Sequence, residues 1–192
     1  MAPRLAARRC SHSPVVPAFA LFFLIGACGS PEPVVDGQPA PRRVLTDANV
    51  TSIATAANNG EIGEGQLALS RSRNQQVREF AQQMISDHTA LNQQIMHEAQ
   101  RTGMQPEELT SRIQATSEQT LRSLGQREGA AFDRAYIANQ VAMHRWLLET
   151  MDNTLIPAAR DDRLESLLRS QRAIIADHLE HALRVQQSLG QH

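Results

Sequence analysis

Residues 74–102 read NQQVREFAQQMISDHTALNQQIMHEAQRT, and the placing of the apolar letters in that run decides the fold. Val77, Phe80, Ala81, Met84, Leu91, Ile95 and Ala99 fall on one face when successive residues are set 100° apart. Glutamine, arginine and glutamate fill the other face, and Gly103 follows as a natural stop. The run therefore predicts an amphipathic helix of about eight turns with one inward interruption, His88, between Met84 and Leu91.

Working outward, the same period appears three more times. Upstream, Val50, Ile53, Ala54, Ala57, Gly65 and Ala68 form a stripe beginning just after Thr46. Thr46 is a suitable N-cap, Asp47 suits the positive end of the helix dipole, and Leu45 with Val50 sit at the positions of a hydrophobic staple. Downstream, a helix over about 128–155 presents Phe132, Tyr136, Met143, Leu147 and Met151, and its predicted end lies before Pro157. A last helix over about 161–189 presents Leu164, Leu168, Ile175, Ala182 and Val185. Between the second and third long helices, residues 105–129 carry a weaker stripe (Leu109, Ile113, Thr116, Thr120, Leu124) and predict a shorter, less buried helix. Two tight hairpins joined by a long crossover describe a ferritin-like antiparallel four-helix bundle with an extra short helix in its connection. Strand-like alternation of β-branched residues is missing.

Composition agrees with an all-α class. Of 192 residues, 41% are hydrophobic but only 4% aromatic, so the core must be built from Leu, Ile, Val, Ala and Met. All 19 basic residues are arginine, and the formal net charge is -1. Removing Arg4, Arg8 and Arg9 with a leader leaves 16 basic against 20 acidic residues, without the basic surface that nucleic-acid binding requires.

The leader is legible. Those three arginines precede the apolar stretch Val15–Ala27, too short to span a bilayer but suited to a signal peptide. It ends in Leu24-Ile25-Gly26-Ala27-Cys28, which resembles a bacterial lipobox: an aliphatic residue, two small ones, and the cysteine whose thiol accepts lipid. Residues 1–27 are thus expected to be a lipoprotein signal peptide, with an ordinary secretory signal as the alternative. Residues 28–46 are expected to be lipidated Cys28 and a tether carrying Pro31, Pro33, Pro39 and Pro41, able to span roughly 50 Å at about 3.1 Å per residue. Residues 47–192 are the bundle. Cys10 would leave with the leader, so no disulfide is expected. Gly29 after the acylated cysteine favours sorting to the outer membrane. The expected location is the periplasmic side of the cell envelope, with the membrane as partner through the lipid.

Polar residues interrupting the apolar faces are the candidates for function. Glu61 lies near the centre of the first stripe and Glu64 nearer its edge; His88, His144 and His178 each lie mid-stripe on their helices. The four inward groups, Glu61, His88, His144 and His178, must pair, hydrogen-bond or bind metal, since unpartnered polar burial is costly. One carboxylate and three imidazoles suit a divalent transition metal, Zn, Fe, Mn or Cu. Asp87, Asp133 and Gln140 are candidates for orienting these ligands, Asp87 for the adjacent His88, although neighbouring side chains on a helix diverge and a solvated Asp87 is the favoured alternative. Against this, the Glu-x-x-His pairs of carboxylate-bridged di-iron bundles are absent: Ile85, Val141 and Ile175 stand three before the histidines. Helix counting also staggers the four groups by roughly 6–8 Å in depth. A buried hydrogen-bonded network, for example Glu61 to His88, remains an open alternative. Tyr136, Trp146 and the methionines read as packing residues. The run Gly60-Glu61-Ile62-Gly63-Glu64-Gly65 reads as close-packing or kink positions that would expose Glu61. No nucleophile elbow or phosphate loop occurs, so no catalytic residue is assigned.

The segments AANNGEIGEGQLAL, FAQQMISDHTALN, FDRAYIANQVAMHRWLL, LIP and DHLEHALRVQ, in this order over about residues 47–189, resemble an exported bacterial family designated domain of unknown function 4142, with a ferritin-like fold. The resemblance implies a periplasmic or membrane-anchored bundle with no assigned reaction and no catalytic residues. The expectation is therefore an envelope lipoprotein serving as a structural, interaction or stress-related module, with an envelope protein as partner. The alternative is a metal-binding bundle that uses Glu61, His88, His144 and His178 in metal or oxidative stress.

Overall fold

The computed structural model describes residues 44–190, and the leader, Cys28 and most of the tether lie outside the described residues. The described chain is all-helical: α1 (Asp47–Arg71), α2 (Gln75–Thr102), α3 (Glu108–Gly125), α4 (Gly129–Thr150), a π-helical segment (Met151–Leu155), α5 (Ile156–Ala158) and α6 (Asp162–Leu189). Side chains start the helices. Thr46 accepts from the Asn49 N–H while the Asn49 side chain takes the Thr46 N–H, a reciprocal cap that satisfies two otherwise orphaned donors. Asn74 caps α2, and Asp161 accepts from the Arg163 and Leu164 N–H groups at the start of α6. Gly103 ends α2 at φ 80°, a left-handed conformation that any side chain would strain.

α1 and α2 form one hairpin, α4 and α6 a second; α2 packs on α6 and α1 on α4. Every neighbouring pair among these four is antiparallel. The crossover is more substantial than its sequence signal: α3 has 18 residues and buries Thr110, Ile113 and Leu124. It runs parallel to α1, Gly60 facing Ser117 and Gly63 facing Leu121. Thr116, expected inside, is exposed, and Ser117 turns toward α1 instead.

Pro157 does not end the third long helix. The Ile156 N–H reaches back to the Met151 carbonyl, a five-residue bond, and the chain stays helical to Ala158. A proline removes one donor and crowds the carbonyl four residues before it; widening the preceding turn relieves both.

The core is split in two. One apolar cluster contains Val50, Ile53, Ile95, Leu147, Leu164, Leu168 and Ile175; the other contains Ala68, Phe80, Met84, Phe132, Ile137, Ala182 and Val185. On α1, α2, α4 and α6 a set of buried polar residues falls between them: Asn58, Glu61 and Glu64 on α1, His88 on α2, Gln140 and His144 on α4 and His178 on α6. Two oil-like halves thus enclose a polar layer out of contact with solvent.

Candidate metal centre

His88, His144 and His178 come together in that layer. One ring nitrogen from each lies within 4.8 Å of the others, and the ring centroids are 5.2–5.9 Å apart. Their relative exposures are 1%, 0% and 0%. The depth stagger expected from helix counting does not separate them, because three helices of different phase bring them to one level.

Each imidazole is held by one nitrogen and free at the other. His88 Nδ1 donates to Asn58 Oδ1 at 2.9 Å, His144 Nδ1 to the Gln140 carbonyl at 2.9 Å, and His178 Nε2 to Asp87 Oδ2 at 2.9 Å. All three partners are acceptors, so in each ring the held nitrogen carries a proton. The other ring nitrogens, His88 Nε2, His144 Nε2 and His178 Nδ1, are buried and have no hydrogen-bond partner. Burial, then the neighbouring His144 and His178, hold the His88 pKa well below its usual value; burial likewise lowers His178 despite the Asp87 carboxylate. Neutral imidazoles with inward lone pairs are the form in which histidine binds metal, and a carbonyl, amide or carboxylate behind each ring is the usual orienting partner. A tetrahedral ion with bonds of 2.0–2.1 Å sets its nitrogens about 3.4 Å apart, within a modest side-chain rotation of the observed spacing.

The sequence reading placed several of these residues differently. Asp87 orients His178 across the α2–α6 contact, not adjacent His88, because neighbouring side chains on a helix diverge. The residue level with the trio on α1 is Asn58, which sequence reasoning passed over; it, and not Glu61, pairs with His88. Glu61 stands one turn further along α1, about 4.5 Å in rise, in electrostatic contact with His144. It is 2% exposed, so the glycine run does not uncover it. Gly65 lies against Ala81 and Ile85 of α2 and Gly60 against Ser117 of α3, so the missing side chains draw helices in on both flanks. The same approach buries Glu64, expected at the edge, whose Oε2 accepts from Asn139 at 2.7 Å and Gln140 at 3.0 Å. Gln140 therefore serves both groups, its carbonyl on His144 and its amide on Glu64. Asp133 is buried but lies eleven residues from His144, roughly 16 Å along α4, too far to orient a trio imidazole.

Around the carboxyls the polar balance is incomplete. Glu61 Oε2, Gln140 Oε1 and the Tyr136 hydroxyl are buried without partners. Burial raises the pKa of Glu61, and raises that of Glu64 well above the usual carboxyl value with the Glu61 charge adding to it; burial and both carboxyls also push up Tyr136. Tyr136, read from sequence as packing, stacks on Phe132 as expected but also presents a polar atom to this layer.

No curated protein and no solved structure matches this chain. A family model described as a domain of unknown function (DUF4142) matches residues 32–185, which include α1 through α4, the whole polar layer and most of α6. With well over half of its length matched, the chain belongs to the DUF4142 family.

Proposed function

We propose that this protein binds one divalent transition metal inside its bundle, with His88, His144 and His178 as ligands and Asn58, the Gln140 carbonyl and Asp87 fixing the rings. The single observation that carries the reading is the set of three buried, unpartnered imidazole nitrogens on converging rings. A purely structural histidine network would pair both nitrogens of each ring, since each orphan costs about 1–3 kcal/mol. Three nitrogen ligands leave a fourth position, and Zn, Fe, Mn or Cu all suit this donor set. Glu61, in electrostatic contact with His144, stands one turn further along α1.

The setting in which this happens is part of the same proposal. The antiparallel pairing of α1, α2, α4 and α6, with α3 carrying the chain the length of the bundle between hairpins, supports a ferritin-like arrangement. Among the described residues no helix is long and apolar enough to cross a membrane. Attachment would rest on lipid at Cys28, placing the bundle on a tether at the periplasmic face of the outer membrane, where a metal or oxidative stress role is chemically reasonable. A structural role toward an envelope partner has no specific feature of the described surface in its favour.

Two measurements test this. Elemental analysis of natively purified protein, with thermal melts before and after metal addition, is expected to show one bound ion and a stability gain of about 2.7 kcal/mol at a hundredfold excess over Kd. His88→Ala with His178→Ala should abolish both; metal-free native protein whose melting is indifferent to Zn, Fe, Mn and Cu ends the metal reading. Separately, Cys28→Ser should release the protein from the membrane fraction, and unchanged membrane association would end the lipid-anchor reading.

A further inference from the structure

We propose that Glu61 and Glu64, with the Tyr136 hydroxyl and the Gln140 amide oxygen, form a second cation subsite of oxygen donors, one to two helical turns along the bundle from the imidazole trio. This extends the metal reading above but has its own footing. Glu61 and Glu64 occupy successive inward turns of α1, are 2% and 1% exposed, and act electrostatically on one another. Tyr136, fully buried on α4, is acted on by both carboxyls, and its hydroxyl has no partner. Gln140 is fixed by its Nε2 bond to Glu64, which leaves its Oε1 in the same layer and also without a partner. Glu61 Oε2 is the third orphan.

Packing alone does not explain this arrangement. Two carboxyls in an apolar interior repel when ionised, and three orphan oxygens beside them add an unmet demand for positive charge or protons. A divalent cation answers both at once: two carboxylates neutralise it, and the amide and phenol oxygens add neutral donors. The donor set also fixes the class of ion. Carboxylate, carbonyl and hydroxyl oxygens suit hard cations such as Mn2+, Mg2+ or Ca2+, whereas the trio offers only borderline nitrogen donors. The two halves of the layer therefore rank ions differently, Mn2+ being acceptable to both but favoured over Co2+ only among the oxygens, with Glu61 between them through its contact with His144.

The experiment loads the whole chain with Co2+ and then titrates Mn2+, following visible Co2+ absorption and Mn2+ electron paramagnetic resonance. Wild-type protein is expected to bind one Co2+ at the trio and then one Mn2+. Glu64→Gln, close to isosteric, should weaken Mn2+ binding at least tenfold and leave Co2+ uptake and spectrum unchanged. Tyr136→Phe provides an independent variant and should weaken Mn2+ several-fold. His88→Ala with His178→Ala should lose Co2+ and keep Mn2+. Co2+-loaded protein that takes no Mn2+ below millimolar concentration, or Mn2+ binding indifferent to both Glu64→Gln and Tyr136→Phe, overturns the subsite. One ion in total, lost equally with the carboxylates and the histidines, overturns it as well. If the wild-type chain binds Mn2+ in a Glu64-dependent way but no Co2+, the trio reading falls and the subsite stands.

Discussion

Replacing His144 by leucine separates a ligand from a structural histidine, because the two roles predict opposite signs in metal-free protein. His144 is fully buried, its Nε2 is an orphan, and its Nδ1 bonds to the Gln140 carbonyl within its own helix. Leucine of similar volume removes the orphan, a gain of about 1–3 kcal/mol, and forfeits one hydrogen bond worth about 0.5–1.5 kcal/mol. The carbonyl left behind keeps its helical partner, so no new orphan appears. The balance lies between about −0.5 and +2.5 kcal/mol, centred near +1. Exchanging a buried polar group for a well-packed apolar one commonly has this sign. In chelator, His144→Leu should therefore melt at or a few degrees above wild type, at about 2–4 °C per kcal/mol for a domain of this size. With metal at a hundredfold excess over Kd the order reverses: wild type gains about 2.7 kcal/mol and the variant gains almost nothing. Urea or thermal melts of both proteins, each with chelator and with Zn2+, give all four values. A loss above about 2 kcal/mol for His144→Leu in chelator would show that the imidazole is a structural member of the core. An equal metal response in both proteins would refute its role as a ligand.

Asp87→Ala should weaken metal binding about 10–100-fold, the usual loss when the group behind a metal-bound imidazole is removed, and should cost about 1–3 kcal/mol of metal-free stability because the buried His178 Nε2–H loses its acceptor; unchanged affinity by competition with a chromophoric chelator sinks that role. The glycines of α1 should divide: Gly65→Ala brings a Cβ to 2.9 Å from Ile85 Cγ1 and 3.1 Å from the Ala81 carbonyl, costing about 1–3 kcal/mol of overpacking. Gly63→Ala meets only Leu121 at 3.7 Å and should stabilise by up to about 1 kcal/mol through helix propensity; denaturant melts that rank the two the other way contradict the packing account. The pH profile of metal-free protein tests the buried charges. His88 is held well below 6.5, so between those limits the unfolded chain binds more protons and acidification destabilises. Glu64 is held well above 4.5, so over its window the folded chain binds more protons and acidification stabilises. The two slopes oppose each other where these windows overlap, above 4.5 for Glu64 and below 6.5 for His88. Glu64→Gln should expose the histidine slope, up to about 1.4 kcal/mol per pH unit, and parallel profiles for variant and wild type would exclude the offset.

The helices were legible because their period survives single polar interruptions and several of their ends are marked. Thr46, Gly103 and Asp161 mark boundaries in sequence and again in the structure. The three inward histidines were legible for the same reason: a 100° step places His88, His144 and His178 within their apolar stripes whatever the tertiary detail. What failed needed knowledge of neighbours. Glu64 looked peripheral because a stripe about 100° wide assumes contact on one side, whereas α1 is packed by α2, α3 and α4 together. Asp87 was matched to the histidine next to it in sequence, while its partner is 91 positions away on α6. Asn58 went unnoticed because an asparagine in a helix carries no signal of its own; only the level of His88 across the hairpin singles it out. The turn before Pro157 was read as an end because the sequence marks the proline and not the π-helical widening that accommodates it.

The protonation of the layer bears on why it is built from these residues. A bundle that needed only its helix register fixed could use one buried polar residue with one partner. Here seven buried polar side chains from α1, α2, α4 and α6 (Asn58, Glu61, Glu64, His88, Gln140, His144 and His178) divide the core, and one nitrogen of each of the three imidazoles has no hydrogen-bond partner. The environment favours neutral His88, His178, Glu61 and Glu64, so the metal-free chain avoids burying net charge and stays folded around an unmet demand for cations. An arriving ion meets unpartnered nitrogens at the trio, whereas burial opposes ionisation of both carboxyls. Occupancy of the trio should thus come first and lower the cost of ionising Glu61, whose proton repels an ion held near His144. Metal uptake then releases protons into solution, and their number, measured by calorimetry in buffers of different ionisation enthalpy, reports whether the carboxyls take part: none for binding at neutral imidazoles alone, and one or more when Glu61 and Glu64 ionise with it. Release of no protons while both ions bind would contradict this order of events.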